Sequence, residues 1–440
     1  MPASSGQGRA EEILDVRETA CCIVGGGPGG MMLALLLARR GVPVTLLEAH
    51  PTFERDFRGD TVHPGLLEIL DEIGLADRLH ERQHVKMYGP TLPGSDDLLF
   101  DLRRLLKNTR FPYIMWMPQQ IFLEFLAEEA RKFPTFHLVM GANVQRLVED
   151  NGQVRGVRYR GADGWHEVRA SLTVGADGRF SRVRKLAGVE PMTTSSPVEL
   201  LWFRLPRLPD DPPASGVATP RFGKGRVFLT IDRADHWQAG IFFPAGDYQK
   251  LRAAGVEGIR RTIVSMEPCF AKNVEDLTDW QQFSLLSVAS NRCRRWYQPG
   301  LLLIGDAAHT MTPFAGSGIK YAIEDAVVAA NLLAEPLKAG SLCLRDLAEV
   351  QRRREWPTRV IQALGAFALG QLGRVLRSGS RLGVPRFVRL LFGLPLLGKL
   401  IARLFAFGLW RVHVENKSSG SAGSWGPKVL AAPGTLGEPK

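Results

Sequence analysis

At 440 residues the chain is too long for one simple core and predicts two or three domains. Its 45% apolar and 23% charged residues are those of a globular protein and argue against a disordered or fibrous chain. The net charge of +11 permits anionic cofactors, nucleic acid or membrane surfaces as partners, while five cysteines without regular spacing argue against a disulfide framework or a zinc site.

Taken in order, Met1–Arg17 is polar and mixed in charge, which predicts a loose extension and no signal peptide. Ala20–Glu48 reads as strand, glycine turn, helix, strand. Cys21–Val24 is the first apolar strand, Gly25, Gly27 and Gly30 fall at G-x-G-x-x-G spacing, and Met31–Arg40 is helix-forming. Gly41 stops that helix, and Val44–Leu47 is a second buried strand ending in Glu48. Gly25 allows the tight turn, Gly27 lets backbone N–H groups approach a pyrophosphate, and Gly30 lets helix and strand pack closely. The helix N-terminus directs positive charge at the phosphates, and Glu48 is spaced to accept from a ribose hydroxyl. Strand, helix and acid agree, so a dinucleotide site is preferred to a purely structural turn. Cys21 and Cys22 read as small buried hydrophobes in a reducing, cytoplasmic compartment.

Beyond Arg58-Gly59-Asp60-Thr61 the pattern predicts a helix over Pro64–Ile73, closed by Gly74. Glu81–Asn108 has no clear period and predicts an excursion from the first domain. A helix follows at Gln119–Lys132, then strands at His137–Met140, Val144–Glu149, Val154–Arg160, His166–Ser171 and Leu172–Gly175. The turns Asn151-Gly152 and Asp163-Gly164 are hairpin chemistry. From Pro191 to Asn291 the texture is strands and Pro-rich loops, with strands at Val198–Leu205, Arg226–Asp232 and Trp237–Phe243. That predicts a separate inserted sheet. Leu301–Ile304 returns to a buried strand, followed by Gly305-Asp306-Ala307-Ala308-His309 and a long helix over Gly318–Ala334. Gly373–Val412 is apolar and basic without an acid, broken by Pro385 and Pro395, and predicts short helices able to lie in a membrane interface or pack on the protein itself. Ser418–Lys440 is rich in Gly, Ser and Pro and predicts a disordered tail.

Three motifs in order carry a resemblance. They are the fingerprint with Glu48; Gly175-Ala176-Asp177-Gly178-Arg179 with Ser181 and Arg184; and Gly305-Asp306-Ala307-Ala308-His309 with Pro313, Gly316 and Gly318. Over Ala20 to about Leu337 the chain resembles the class A flavoprotein monooxygenases, the para-hydroxybenzoate hydroxylase-like family. The resemblance implies an α/β fold: a discontinuous Rossmann-like FAD-binding domain, an inserted, mainly β substrate domain and a C-terminal helical extension. The resulting division is 1–18 flexible extension, 19–80, 114–190 and 292–340 FAD domain, 81–113 excursion, 191–291 substrate domain, 341–413 basic and apolar helices, and 414–440 tail.

The same resemblance implies FAD as cofactor and NAD(P)H as a transient co-substrate, since no second G-x-G-x-x-G unit is present. It implies cofactor contacts at Pro28, Gly29, Ala49, Arg58, Gln119 or Gln120, Val144, Asp177, Gly178, Gly305, Asp306, Pro313, Gly316, Gly318 and Ile319. For Asp306 a helix cap, and for Asp177 a turn-forming Asp-Gly, are the plainer alternatives. Lys320 stands where the family commonly has Asn, facing either the flavin or solvent. The implied chemistry is reduction of FAD by NAD(P)H, reaction with O2 to a flavin C4a-hydroperoxide, and hydroxylation or epoxidation of an apolar or aromatic small molecule. The flavin performs the chemistry, so no catalytic side chain or metal is expected, and His63 and His309 read as structural. Trp202, Phe228, Phe242 and Phe243 are the candidate substrate contacts. Alternatives are a prenyl reductase of the geranylgeranyl reductase type and a catalytically silent FAD-binding interaction protein. A halogenase is disfavoured because the W-x-W-x-I-P signature is absent. Outside the C-terminal basic segment no basic face interleaved with aromatics points to nucleic acid, and the oligomeric state is left open.

Overall fold

A computed structural model describes residues 12–54, 61–89, 98, 100–211, 218–233, 235–286, 288–313, 316–378 and 395–415. Residues 1–11 of the expected extension, Arg58, residues 379–394 and the expected tail from 416 lie outside the described residues. Strand β1 (Ile13–Val24) starts well before the apolar run Cys21–Val24. Its polar half pairs in parallel with residues 165–170, so the ladder satisfies its backbone while Leu14 and Val16 stay half exposed. The expected flexible extension therefore ends sooner than predicted, because backbone pairing needs no apolar pattern. Helix α1 (Pro28–Arg39) and β2 (Val44–Glu48) follow as expected. Residues 29–38 of α1 are all buried, which a helix covered on every side requires of its apolar sequence.

The next stretch supplies β3 (Thr61–Val62), α2 (Pro64–Glu72), α3 (Ala76–His80), β4 (Val85–Met87), α4 (Leu102–Leu105), β5 (Ile114–Trp116) and α5 (Gln119–Ala130). The excursion over 81–113 is bound back, because β4 and β3 flank β5 in a three-stranded antiparallel sheet. After it come β6 (Phe136–Met140), β7 (Asn143–Asp150), β8 (Gln153–Arg160) and β9 (Trp165–Gly175). Asn151 and Gly152 both take left-handed φ, at 51° and 72°, as a two-residue hairpin turn demands. Strand β9 is continuous where two strands were predicted. Its first half pairs with β8 and its second with a later strand, so the partner changes and the strand does not break.

Helix α6 (Arg182–Leu186), β10 (Pro191–Thr194), β11 (Val198–Pro206), β12 (Ala218–Gly223), β13 (Arg226–Asp232) and β14 (His236–Pro244) lead into α7 (Tyr248–Ala253) and α8 (Gly255–Met266). With β15 (Ser284–Leu286) they build an antiparallel sheet in the order β12-β13-β14-β11-β15. Strand β12 was not among the predicted strands; it contains Pro220 and lies at the sheet edge, where a missing N–H is tolerated. The chain then returns through β16 (Ser290–Cys293), β17 (Tyr297–Gln298), β18 (Leu301–Leu303) and β19 (His309–Thr310). The main sheet runs β17-β18-β9-β1-β2-β6, with the β7–β8 hairpin attached to β9. Its strands from β18 to β6 are parallel.

Helices α9 (Gly318–Lys338), α10 (Leu344–Ser378) and α11 (Pro395–Phe407) close the fold. Residues 373–378, expected in a short helix, are the last turns of the 35-residue α10. Helix α11 packs on β4, α4 and β5, with Ala402, Ala406 and Phe407 buried against Met87, Leu102, Leu106 and Ile114. No helix among the described residues is long and apolar enough to cross a membrane.

A buried ionic cluster locks α10 to α9. Arg354 donates to Asp325 and to Glu324, each at 2.7 Å, and all three residues are almost fully buried. Burial raises the Asp325 carboxyl, but His309 and Arg354 outweigh it and hold the group below the usual carboxylate range. Its depressed folded pKa means that this stabilisation is present above the unfolded value and lost as pH falls through the folded one. Arg354→Met strands two buried carboxylates and should cost about 3–5 kcal/mol of unfolding free energy in urea titration at neutral pH. The exposed neighbour Arg352, changed to Met, should leave the midpoint in place.

Candidate FAD-binding site

The site begins where the strands end. The fingerprint glycines divide into two groups. A Cβ on Gly30 would lie 2.0 Å from the Gly25 carbonyl oxygen, and Gly25 itself has φ of 108° against Ala176 and Asp177, so both are demanded by backbone packing. Gly27 has ordinary extended backbone, at φ −73° and ψ 179°, and a Cβ there would meet nothing within 4 Å. It leaves open space before the first turn of α1, which Pro28 starts and no side chain caps. The N-terminus of α9 at Gly318 is likewise uncapped by a side chain, and a Cβ on Gly318 would also meet open space. The two helices touch at these ends, since a Cβ on Gly29 would sit 3.0 Å from the Ala322 carbonyl oxygen. Two adjoining helix N-termini with glycine hollows in front of them make a fitting cradle for a doubly charged pyrophosphate. The residues present fit FAD.

Glu48 is buried and oriented by its own chain. Its Oε2 accepts from the Gly26 N–H at 2.7 Å, and Oε1 from the His50 N–H at 2.9 Å, with the His50 Nδ1 at 2.7 Å. The neighbouring Ala49 is exposed at the strand end. Asp177 turns back on its own loop: Ser181 donates to Oδ1, and the N–H groups of Arg182 and Val183 donate to Oδ2 at 2.6 and 3.0 Å. The turn-forming alternative describes this geometry. Beside it Gly178 has φ of 78° and open space at its Cβ position. Arg184 is 5% exposed and donates to the carbonyls of Ala307 and Arg179, each at 2.9 Å, so it staples the second motif to the third. Asp306 lies in the short turn after β18, and Gly305 donates to Asp325 at 2.9 Å.

Gly316 takes φ of 61°, and its carbonyl accepts from Thr61 Oγ1 at 2.9 Å. The Pro313–Gly318 loop is thereby tied to β3, a contact the sequence reading missed. Ile319 is buried in the next turn. Gln119 and Gln120 start α5, where Gln120 donates to Glu124 at 2.8 Å. Val144 is in the core beside Leu47, and its backbone pairs with Tyr159.

Lys320 does not face solvent. It is 2% exposed, its Nζ lies 3.9 Å from Glu324, and a Cβ on Gly408 would come within 2.9 Å of that nitrogen. Burial lowers its pKa below the ordinary lysine value, with Glu324 opposing. His309 donates from Nε2 to the Asp325 carboxylate at 2.6 Å and packs on Trp296, while His63 is buried edge-on to Phe405. Burial also pushes the Cys22 thiol up to about 12, which suits a core residue.

The four substrate aromatics divide between the two faces of the inserted sheet. Phe228 and Phe243 are fully buried against α8 through Ile259 and Ile263, so they belong to the core. Trp202 and Phe242 are on the opposite face, with Phe222 and Leu286, against Leu369, Leu372 and Leu376 of α10. The period of two along each strand enforces this separation. Gly240 makes room for Trp202, whose ring would lie 2.2 Å from a Cβ there.

A parallel sheet with a glycine hollow at paired helix N-termini, joined to a second sheet, defines a dinucleotide-binding protein. The chain belongs to the FAD-binding class A flavoprotein monooxygenases: the family described as FAD binding domain matches residues 18–363. It is 35% identical over 384 residues to 6-methylpretetramide 4-monooxygenase of Streptomyces rimosus, covering 84% of this chain and 90% of that one. Digeranylgeranylglycerophospholipid reductase 1 of Methanopyrus kandleri is 26% identical over 231 residues, 49% of this chain and 56% of that one. The fold superposes on OxyS anhydrotetracycline hydroxylase from Streptomyces rimosus with a TM-score of 0.71, at 24% identity, covering 88% of this chain and 76% of that one. The protein is an FAD-dependent oxidoreductase.

Gly27→Ala fills the hollow without straining the backbone. It should leave the folded apoprotein intact by circular dichroism and weaken FAD at least about tenfold in a fluorescence titration. Gly30→Ala, which drives a methyl into the Gly25 carbonyl, should lower the melting temperature of the apoprotein itself.

Proposed function

We propose that the protein uses NAD(P)H and O2 to hydroxylate or epoxidise an apolar aromatic small molecule, with aromatic polyketides as the favoured class. The observation that carries this reading is the continuity of one apolar face with the glycine loop. A Cβ on Gly365 of α10 would lie 2.6 Å from Thr312 Oγ1, immediately before Pro313. Leu369 is one helical turn further on, about 6 Å along the axis, and it packs with the Trp202 and Phe242 side of the sheet. The substrate therefore belongs against Trp202, Phe242 and Phe222, on the loop side of the sheet. The match to a 6-methylpretetramide monooxygenase favours the substrate class.

Bound in the cradle, FAD would supply the redox chemistry, taking electrons from NAD(P)H and activating O2. The chain's own residues bind and orient. The N-termini of α1 and α9 would meet the pyrophosphate, Glu48 a ribose hydroxyl and Asp306 the ribityl chain. Pro313, Gly316, Gly318 and Ile319 would border the ring system, with Gln119 and Arg58 as further contacts. Trp202, Phe242 and the leucines of α10 would hold an aromatic substrate and keep water from it.

A prenyl-chain reductase is the second reading, favoured by the partial match to the digeranylgeranylglycerophospholipid reductase. The two readings part in an oxygen electrode. With FAD-loaded protein, NADPH or NADH, and 6-methylpretetramide or a related aromatic, the monooxygenase consumes O2 in step with a product one oxygen heavier. Nicotinamide oxidation without O2 uptake sinks this reading in favour of a reductase, and no oxidation by either nucleotide sinks both.

Trp202→Ala and Phe242→Ala should each lower kcat/KM for the aromatic by roughly tenfold or more with FAD content unchanged, as loss of a packed ring implies. Phe243→Ala should instead cost about 3–5 kcal/mol of stability, because its ring is in the core.

A further inference from the structure

Apolar surface is also left uncovered on α10, beginning upstream of the 373–412 segment the sequence singled out, where Leu400 and Trp410 are themselves exposed. Helix α10 has two faces. The inner one buries Leu347, Val350, Thr358, Gly365, Leu369 and Leu376. The outer one exposes Trp356, Leu364 and Phe367, at 51%, 42% and 66%. Trp356 and Phe367 lie three turns apart on one line of the helix, with Leu364 at its edge, so the apolar ridge is roughly 17 Å long. At its start Trp410 packs on Trp356 with ring centroids 4.6 Å apart, and is itself 55% exposed.

The charge on this ridge has one sign. Arg359, Arg374 and Arg377 are exposed along it, and the sequence from Trp356 to Ser378 contains no Asp or Glu. Beside it a cavity of about 320 Å3 lies between α10 and the strands β10 and β16, lined by Met192, Ser290, Asn291, Arg292, Arg359 and Gln362. Arg292 donates to Gln362 at 3.0 Å, but its Nε is buried with no hydrogen-bond partner among the described residues. A buried guanidinium N–H without an acceptor is suited to an anion.

We propose that the outer face of α10 docks on an anionic phospholipid bilayer, with the basic cavity receiving a headgroup phosphate. An apolar ridge with aromatic side chains at the water boundary, fringed by arginines, matches a lipid interface in both polarity and charge. A second copy of this chain would set arginines against arginines, so charge complementarity selects the bilayer. The proposal goes beyond the oxidation chemistry and does not depend on the substrate.

The test is co-sedimentation of the FAD-loaded full chain with phosphatidylcholine vesicles, with and without phosphatidylglycerol. A bound fraction roughly tenfold higher on the anionic vesicles is expected, falling with salt. The double variant L364S/F367S, and separately Arg359→Glu with Arg374→Glu, should abolish it with FAD content and circular dichroism unchanged. No sedimentation with either vesicle overturns the proposal, as do equal binding to both and binding that survives L364S/F367S. A dimer in light scattering that L364S/F367S dissolves overturns it as well, since the face would then belong to a second copy.

Discussion

The fold depends on bringing two helix N-termini together. Each carries about half a positive charge, and like ends repel unless an anion lies before them. Here α1 follows β1, and α9 follows β18 after the intervening β19; β18 and β1 are separated only by β9 in one parallel sheet. Gly29 against Ala322 and Gly30 against Gly25 let the backbones close to contact distance. Gly27 and Gly318 then leave the space in front empty of side chains. The cofactor site is thus a consequence of packing: among the described residues no side chain caps either helix, Ser317 included, and a dinucleotide would supply the missing charge.

The surroundings hold this arrangement rigid. Arg184 joins the loop after β9 to the turn after β18, and Thr61 fixes the loop before α9. On the far side of α9, Asp325 and Glu324 both accept from Arg354 of α10, which ties α10 to α9. The same helix continues over the loop side of the inserted sheet. One long helix therefore connects the buried charges behind the cofactor cradle with the apolar face where a substrate would lie.

What the sequence made legible follows from the physics of each feature. Glycine spacing, buried strands and hairpin turns are local, and α1, β2, β11, β13 and β14 are where their patterns predict. The polar half of β1 was not legible, because its residues carry no apolar alternation and are held by backbone pairing. Strand β12 was hidden by Pro220, which an edge position accepts. Pro357 did not break α10, and its 35 residues run on as one helix. In the candidate site, side-chain direction was the missing information. Phe242 and Phe243 are adjacent in sequence and on opposite faces, and composition cannot say which face is closed by α8. Lys320 read equally well as a surface lysine; it is buried, with Gly408 from the far end of the chain close to its Nζ.

The central claim is that this cradle and this apolar face together serve oxygen insertion. It is tested most directly by turnover of the FAD-loaded protein with NAD(P)H, an aromatic substrate and isotopically labelled dioxygen, read by mass spectrometry of the product. The account predicts one labelled oxygen atom per product molecule. A product that gains two hydrogens and no label, formed equally well without oxygen, would contradict it.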